Sequence, residues 1–377
     1  MNLPITRVPF VDLVGQHQLL SKEITAAIDQ VISRGDFVLG SALEEFETAF
    51  AHSCGVDYAV GVASGTDAIA LGLKASGIGR GDEVIVPANT FIATIIGILE
   101  TGATPILVDC DAQTALIDLK AANKVVTNKT KAIVPVHLYG QMVSPSELLD
   151  FAQSHDLLIF EDAAQAHLAQ REGYLAGTIG IAGAFSFYPS KNLGAFGNGG
   201  MLITKSEAIA TGVKTLRNYG AKEKYYHSEI GKNSRLDTIQ AAILGVKLPY
   251  LSGWNQSRYQ LAQLYDQYLQ SLPLIQPLQN HCNHGHVYHL YVITCAAKRN
   301  ELQHYLTSQG IQTGIHYPIP CHLQPGYQHL GYSYGDFPVT EALAEKILSL
   351  PMYPNLTDSQ VELVGDRLVD FINKHGS

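Results

Sequence analysis

The sequence predicts an α/β protein built on a mostly parallel sheet, and three observations carry that expectation. Short apolar strands alternate with helical segments from residue 58 to residue 163, and hairpin signals between them are few. At 377 residues, the chain is also long enough for one large domain and a smaller one.

The elements follow in order. After a short N-terminal arm, "LLSKEITAAIDQVISRG" places apolar residues at helical spacing and stops at Gly35. "SALEEFETAFAHSCG" is a second helix, with Ser41 as its expected N-cap and Glu44 at capping-box spacing. "YAVGVAS" then reads as a strand and "GTDAIALGLKASG" as a helix; "DEVIVPA" is a strand and "TFIATIIGILETG" a helix. The strand "TPILVDC" leads into helical "LIDLKAANKVV", the strand "KAIVPVHL" into helical "SPSELLDFAQSH", and the strand "LLIFEDA" closes the alternation. Beyond residue 240 a long helical stretch is expected to break near Pro249 and Gly253. The strand "VYHLYVITC", the helix "RNELQHYLTSQG" and the amphipathic helix "DSQVELVGDRLVDFINKHG" follow. The expected division is a large domain over residues 1–249, including the arm, and a small α+β domain over 250–377.

Composition narrows the function. Hydrophobic residues make up 46% and charged residues 16%, which is a globular composition and excludes wholesale disorder. A formal charge of −9 argues against a general nucleic-acid binder, which needs a basic face to replace phosphate counterions. The five cysteines are widely spaced without a CxxC pair, so a reducing, cytosolic compartment is expected. The opening "MNLPITRVPFVDL" lacks a signal-peptide pattern, and no apolar run approaches the roughly 20 residues of a spanning helix.

Ligands of parallel sheets bind beyond the carboxyl ends of the strands, so polar residues there are the candidates. In "VASGTDAIA", Ser64, Gly65 and Thr66 join a strand to a helix; they can cap the helix, or cradle a phosphate on its free amides. "LLIFEDAAQAH" ends a strand with Glu161, Asp162, Gln165 and His167, where a carboxylate can face a protonated ring nitrogen or a metal, or simply be solvated. Phe91, just past a strand, suits ring stacking, although an isolated aromatic at a helix start is more often core. "NHCNHGHVYH" clusters His281, Cys282, His284, His286 and His289 at spacings that match no standard metal site, so no metal is expected. "IHYPIPCHLQP" is a loop able to line a pocket. In "FSFYPSKNLGAFGNGG", finally, Lys191 stands between an apolar run and a series of glycines. Cradle, acid, aromatic and lysine together describe a site for pyridoxal 5′-phosphate: phosphate at Gly65–Thr66, pyridine nitrogen on Asp162, ring under Phe91 and a Schiff base to Lys191.

"ASGTDAI", "PANTFIAT", "EDAAQAH", "SFYPSKNLGAFGNGG", "RNYG", "NSRLDTIQAA" and "HYPIPCHLQP" resemble, in order, the sugar aminotransferases of the DegT/DnrJ/EryC1/StrS family. The resemblance implies the aspartate-aminotransferase fold (fold type I), with a seven-stranded sheet, and a homodimer with shared active sites. It assigns Lys191 as the cofactor-binding lysine and Asp162 as the partner of the pyridine nitrogen. Gln165 falls near the cofactor's 3-hydroxyl, and Ser186, Gly65 and Thr66 on its phosphate. It assigns Asn233 to the partner subunit's phosphate, and His316, Tyr317 and His322, with Tyr188 and Tyr219, to the sugar-nucleotide side. Asn198 stands where the family more often has an acid, and Lys232 where an apolar or aromatic residue is commoner.

Within the family, "RNYG" and "HYPIPCHLQ" are closer to enzymes that aminate C3 of a nucleotide-linked 3-keto-6-deoxysugar, mostly dTDP-linked, with glutamate as donor. A C4 aminotransferase and a UDP-linked substrate are the alternatives inside the family. Outside it stand a sugar dehydratase, whose relatives replace the lysine with histidine, and a non-catalytic regulatory homologue.

Overall fold

The computed structural model describes residues 7–295 and 298–375. Seven strands build the main sheet: β1 (Tyr58–Val62), β2 (Glu83–Pro87), β3 (Thr104–Val108), β4 (Thr130–Ile133), β5 (Leu158–Asp162), β6 (Ala182–Ser186) and β7 (Gly200–Thr204). Their order is β1-β7-β6-β5-β4-β2-β3, and only β7 runs against its neighbours. The sheet is covered on both faces, so adjacent residues of one strand enter different cores. Ile159 and Phe185 pack with Phe46 and Phe50 on one side; Phe160 and Ala184 pack with Val60 and Leu202 on the other. Each fully buried Phe or Leu there contributes about 1.5–3 kcal/mol.

Local pattern does not single out β6 and β7: Gly183 interrupts the apolar run of β6, and β7 starts at Gly200, directly behind Gly197 and Gly199. Gly183 is required: a Cβ there would lie 2.3 Å from the Cα of Gly177. These two strands flank the loop that carries Lys191 and deliver it to the carboxyl end of the sheet.

Some local expectations change. The helix Ser41–Cys54 has Gly40 as N-cap, and Ser41 is its first residue. The Asp36 carboxylate accepts from the Ser41 amide at 3.0 Å, and so does the capping from outside the expected box. Gly253 does not interrupt the helix Leu251–Leu269; the break is the single turn Leu248–Tyr250, where Pro249 supplies no amide. The helical stretch expected over 116–126 contracts to Leu119–Asn123.

Three further strands, β8 (Ile275–Pro277), β9 (Tyr291–Cys295) and β10 (Ile347–Leu350), form an antiparallel sheet. Tyr265, Tyr291, Leu302, Val361 and Leu368 join it to the helices Leu251–Leu269, Arg299–Ser308 and Asp358–His375. The first of these helices begins just after the expected boundary at 249/250, and other segments also pass between the two cores. Val8, from the arm, bridges Ile311 and is fully buried in the small core. Conversely, Cys321 and Phe337 are buried in the large core, and Asp109 accepts from the amides of Val339 (2.9 Å) and Thr340 (2.8 Å). Residues 1–6, 296–297, 376 and 377 of the two expected domains lie outside the described residues. Among the described residues, no helix is long and apolar enough to cross a membrane, and all five cysteines are buried.

Candidate active site

Strand alternation sorts the two acids that end β5. Glu161 turns away from the cavity and accepts from the amides of Gly177 (2.7 Å), Ile179 (2.7 Å) and Gly180 (3.0 Å), while pairing with His137 at 2.9 Å. It fixes a loop. Asp162 faces the other way, where the Thr94 hydroxyl donates to it at 2.7 Å and the Ala164 amide at 3.1 Å. Burial pushes the Asp162 carboxyl above its ordinary pKa, against the pull of those two donors and of the Lys191 and His137 charges.

At the end of β1, Ser64 caps the helix Gly65–Ala75 by accepting from the Asp67 amide at 3.1 Å. The cap and the cradle coexist, because the amides of Gly65 and Thr66 are first-turn groups without intrahelical acceptors. A Cβ on Gly65 would meet the Cβ of Ser186 at 2.8 Å, and one on Gly200 the Ser64 carbonyl oxygen at 2.3 Å. Glycine therefore lets the ends of β1, β6 and β7 close up behind the cradle.

Lys191 is held by its loop. Its amide donates to the Tyr188 carbonyl at 2.8 Å, Phe187 pairs with both Gly199 and Ala195, and Phe187 and Leu193 are fully buried. Burial lowers its pKa to about 8, with Asp162 pulling the other way.

These residues share one cavity of about 490 Å3. Gly65, Thr66, Phe91, Asp162, Gln165, Ser186, Tyr188, Lys191, His316 and Tyr317 all line it, as do Asn198 and His289. Phe91 is 52% exposed, so it belongs to the cavity and not to the core, with its ring 5.3 Å from that of Tyr317. Gln165 accepts from the Tyr139 amide at 2.6 Å and donates to the Tyr317 hydroxyl at 3.1 Å. The His316 ring meets the Ser349 hydroxyl at 2.8 Å, and burial lowers its pKa to about 4.

Three expected residues are elsewhere. His322, assigned to the sugar side, is 1% exposed and pairs with Glu341 at 2.9 Å, so it is a core contact of the segment that rejoins the large domain. Tyr219, likewise assigned, lies off this cavity with the Arg235 guanidinium 5.2 Å from its ring. Asn233 is exposed, bridged to Asn218 and also off this chain's own cavity. Lys232 pairs with Asp67 (2.5 Å) in the first turn of the cradle helix and with Glu100 (2.8 Å). His167 is buried against Phe185, and among the described residues neither of its ring nitrogens is hydrogen-bonded to a side chain. Sequence reasoning missed His289, hidden in a run that resembled metal ligands. Among the described residues, no group of three His, Cys, Asp or Glu side chains is placed to hold a metal ion.

The arrangement fits pyridoxal phosphate. The amide cradle suits an anionic end. Asp162, a buried carboxyl facing the cavity, suits a protonated ring nitrogen, and Lys191 supplies an amine that loses its proton easily.

A sequence profile of the DegT/DnrJ/EryC1/StrS aminotransferase family matches residues 18–369. Over 97% of this chain and 98% of its own length, a "pleiotropic regulatory protein" of Geobacillus stearothermophilus is 43% identical. The dTDP-3-amino-3,4,6-trideoxy-alpha-D-glucose transaminase of Streptomyces venezuelae is 42% identical over 98% of this chain and 97% of its own. A crystal structure of S. venezuelae DesV superimposes with a TM-score of 0.94 at 43% identity, covering 97% of this chain and 98% of that one.

Proposed function

The chain belongs to the DegT/DnrJ/EryC1/StrS aminotransferase family of pyridoxal-phosphate enzymes, and on that premise we propose that it aminates C3 of a dTDP-linked 3-keto-6-deoxysugar, with glutamate as amino donor. The observation that carries the catalytic reading is Lys191, Asp162 and the Gly65–Thr66 cradle on one cavity. The similarity to a transaminase named for a dTDP-3-amino sugar supports C3 and dTDP.

When bound, the cofactor supplies a carbon that carries the amino group and a ring that accepts the electron pair released at the substrate carbon. The chain's own residues do the rest. Lys191, with a pKa of about 8, is partly neutral near neutral pH; it holds the cofactor and moves the proton at the reacting carbon. Asp162, steadied by Thr94 and Ala164, keeps the proton on the ring nitrogen. The Gly65 and Thr66 amides and the Ser186 hydroxyl bind phosphate, Phe91 shields one ring face, and Gln165 stands at the 3-hydroxyl. Tyr188, His316 and Tyr317 take the sugar side. The exposed Asn233 reaches the phosphate site of a second copy, which makes the working unit a homodimer with shared sites.

Retention of Lys191 separates this chain from dehydratases that carry histidine there. The intact set also favours catalysis over a purely regulatory role, despite the regulatory name of one relative. The test is a panel of dTDP- and UDP-linked 3-keto and 4-keto sugars with glutamate, with products assigned by NMR. Amination at C4 alone overturns the C3 assignment, and no turnover on any member overturns the enzyme.

A further inference from the structure

Beside Lys191 lies a buried polar chain whose orientation is fixed at its far end by backbone. Asn255 Nδ2 donates to the His167 carbonyl at 2.9 Å, which leaves Asn255 Oδ1 facing Asn192. Asn192 Nδ2 donates to that oxygen and to the Val287 carbonyl, both at 2.9 Å. A carbonyl cannot donate, so neither amide can be flipped without losing these bonds. Asn192 Oδ1 therefore faces His289 Nδ1, 3.2 Å away, and that nitrogen must carry the proton. The other ring nitrogen, Nε2, is left with a bare lone pair.

His289 lines the cavity, and its Nε2 has no protein partner among the described residues. The Arg258 guanidinium ties the residue before His289 to another segment, donating to the carbonyls of Tyr288 (3.2 Å) and Met352 (2.9 Å). Burial, followed by the Lys191 and Arg258 charges, keeps the imidazole neutral.

We propose that His289 is a specificity-determining residue that accepts a hydrogen bond from a hydroxyl of the sugar substrate through Nε2, in the tautomer set by Asn192 and Asn255. The proposal rests on the nucleotide-sugar reading above. Of the two substrates, the sugar is the one that fits a bare acceptor. Besides its reacting amino group, glutamate brings only carboxylates, which have no proton to give and repel a lone pair; a deoxysugar brings hydroxyls that donate. Asn192 and Asn255 are positioning residues, acting through His289.

Two substitutions separate this role from a merely structural one. His289→Asn keeps a donor where Nδ1 was, toward Asn192, but has nothing that reaches Nε2. His289→Gln places an amide oxygen near Nε2 and sacrifices the bond to Asn192. Holoenzyme is titrated calorimetrically with a dTDP-linked 3-amino-3,6-dideoxyhexose, and each half-reaction is followed by cofactor absorbance. One neutral hydrogen bond corresponds to about three- to tenfold. The expected result is that loss of sugar binding and of the sugar half-reaction for His289→Asn, with the glutamate half-reaction within about twofold of wild type and His289→Gln close to wild type on both. A structural role gives the opposite order, with Gln worse than Asn and both half-reactions falling together, and overturns the proposal. Wild-type protein that binds no nucleotide sugar defeats the functional reading, and this proposal with it. Wild-type binding with variants that behave alike defeats this proposal alone.

Discussion

The Thr94 hydroxyl spends its single proton on Asp162, 2.7 Å away, so the Thr90 hydroxyl, 2.8 Å from Thr94, must donate to Thr94 in turn. A two-step relay therefore steadies the buried carboxylate that faces the ring nitrogen. Replacing Thr94 with Val removes a hydrogen bond to a charged group, worth about 1.5–3 kcal/mol, and pushes the carboxyl further up. Pyridoxal phosphate affinity, titrated by absorbance, is expected to fall by at least about tenfold, with the fold intact by circular dichroism.

Lys191 must be neutral to capture the cofactor covalently. With a pKa of about 8, the capture rate of cofactor-free protein is expected to rise as pH rises through about 8 and then level off. Lys191→Ala abolishes borohydride-trapped cofactor and lowers turnover on the order of a thousandfold or more. Retained trapping in that variant would show that another amine does the work.

Gly200→Ala tests the cradle without removing any polar side chain. A Cβ 2.3 Å from the Ser64 carbonyl oxygen has to displace the β1–helix junction, so phosphate is expected to bind at least about tenfold more weakly. Pyridoxal, which lacks the phosphate, should lose much less. Equal losses for the two would point to a general collapse.

Acid sensitivity follows from histidines buried in neutral form. Burial lowers His167 and His286 to about 3 and His17 and His316 to about 4. Below the unfolded pKa near 6.5 the unfolded chain binds more protons than the folded one, so stability is present above that value and is lost as pH falls toward 4. His167, fully buried and packed on Phe185, is the cleanest probe. His167→Phe is expected to make the acid limb of a urea-denaturation series shallower by about one proton's slope.

How much of this was legible depended on what each residue needed from its neighbours. Asp162 and Gly65–Thr66 sit at strand ends that local pattern reveals, Lys191 stands out before its glycines, and the structure brings all four to one cavity. The expected choice of Asp162 over Glu161 has its physical reason in the pleat, which sends adjacent residues to opposite faces. His322 stands in a segment that reads as a pocket-lining loop; its burial depends on Glu341, which no local pattern reveals. His289 and Asn192 are far apart in sequence and meet only through tertiary packing.

The crossing of the chain between its two cores has a mechanical meaning. The small sheet is joined to the large one at Leu248–Tyr250, through the arm at Val8, and again on either side of the segment that holds Cys321 and Phe337. A body fastened at one point swings; a body fastened at several is braced, and rotation about any one of them strains the rest. Large hinge opening is thereby opposed, and admission to the cavity falls to side chains at its rim, Phe91 and Tyr188, both more than half exposed.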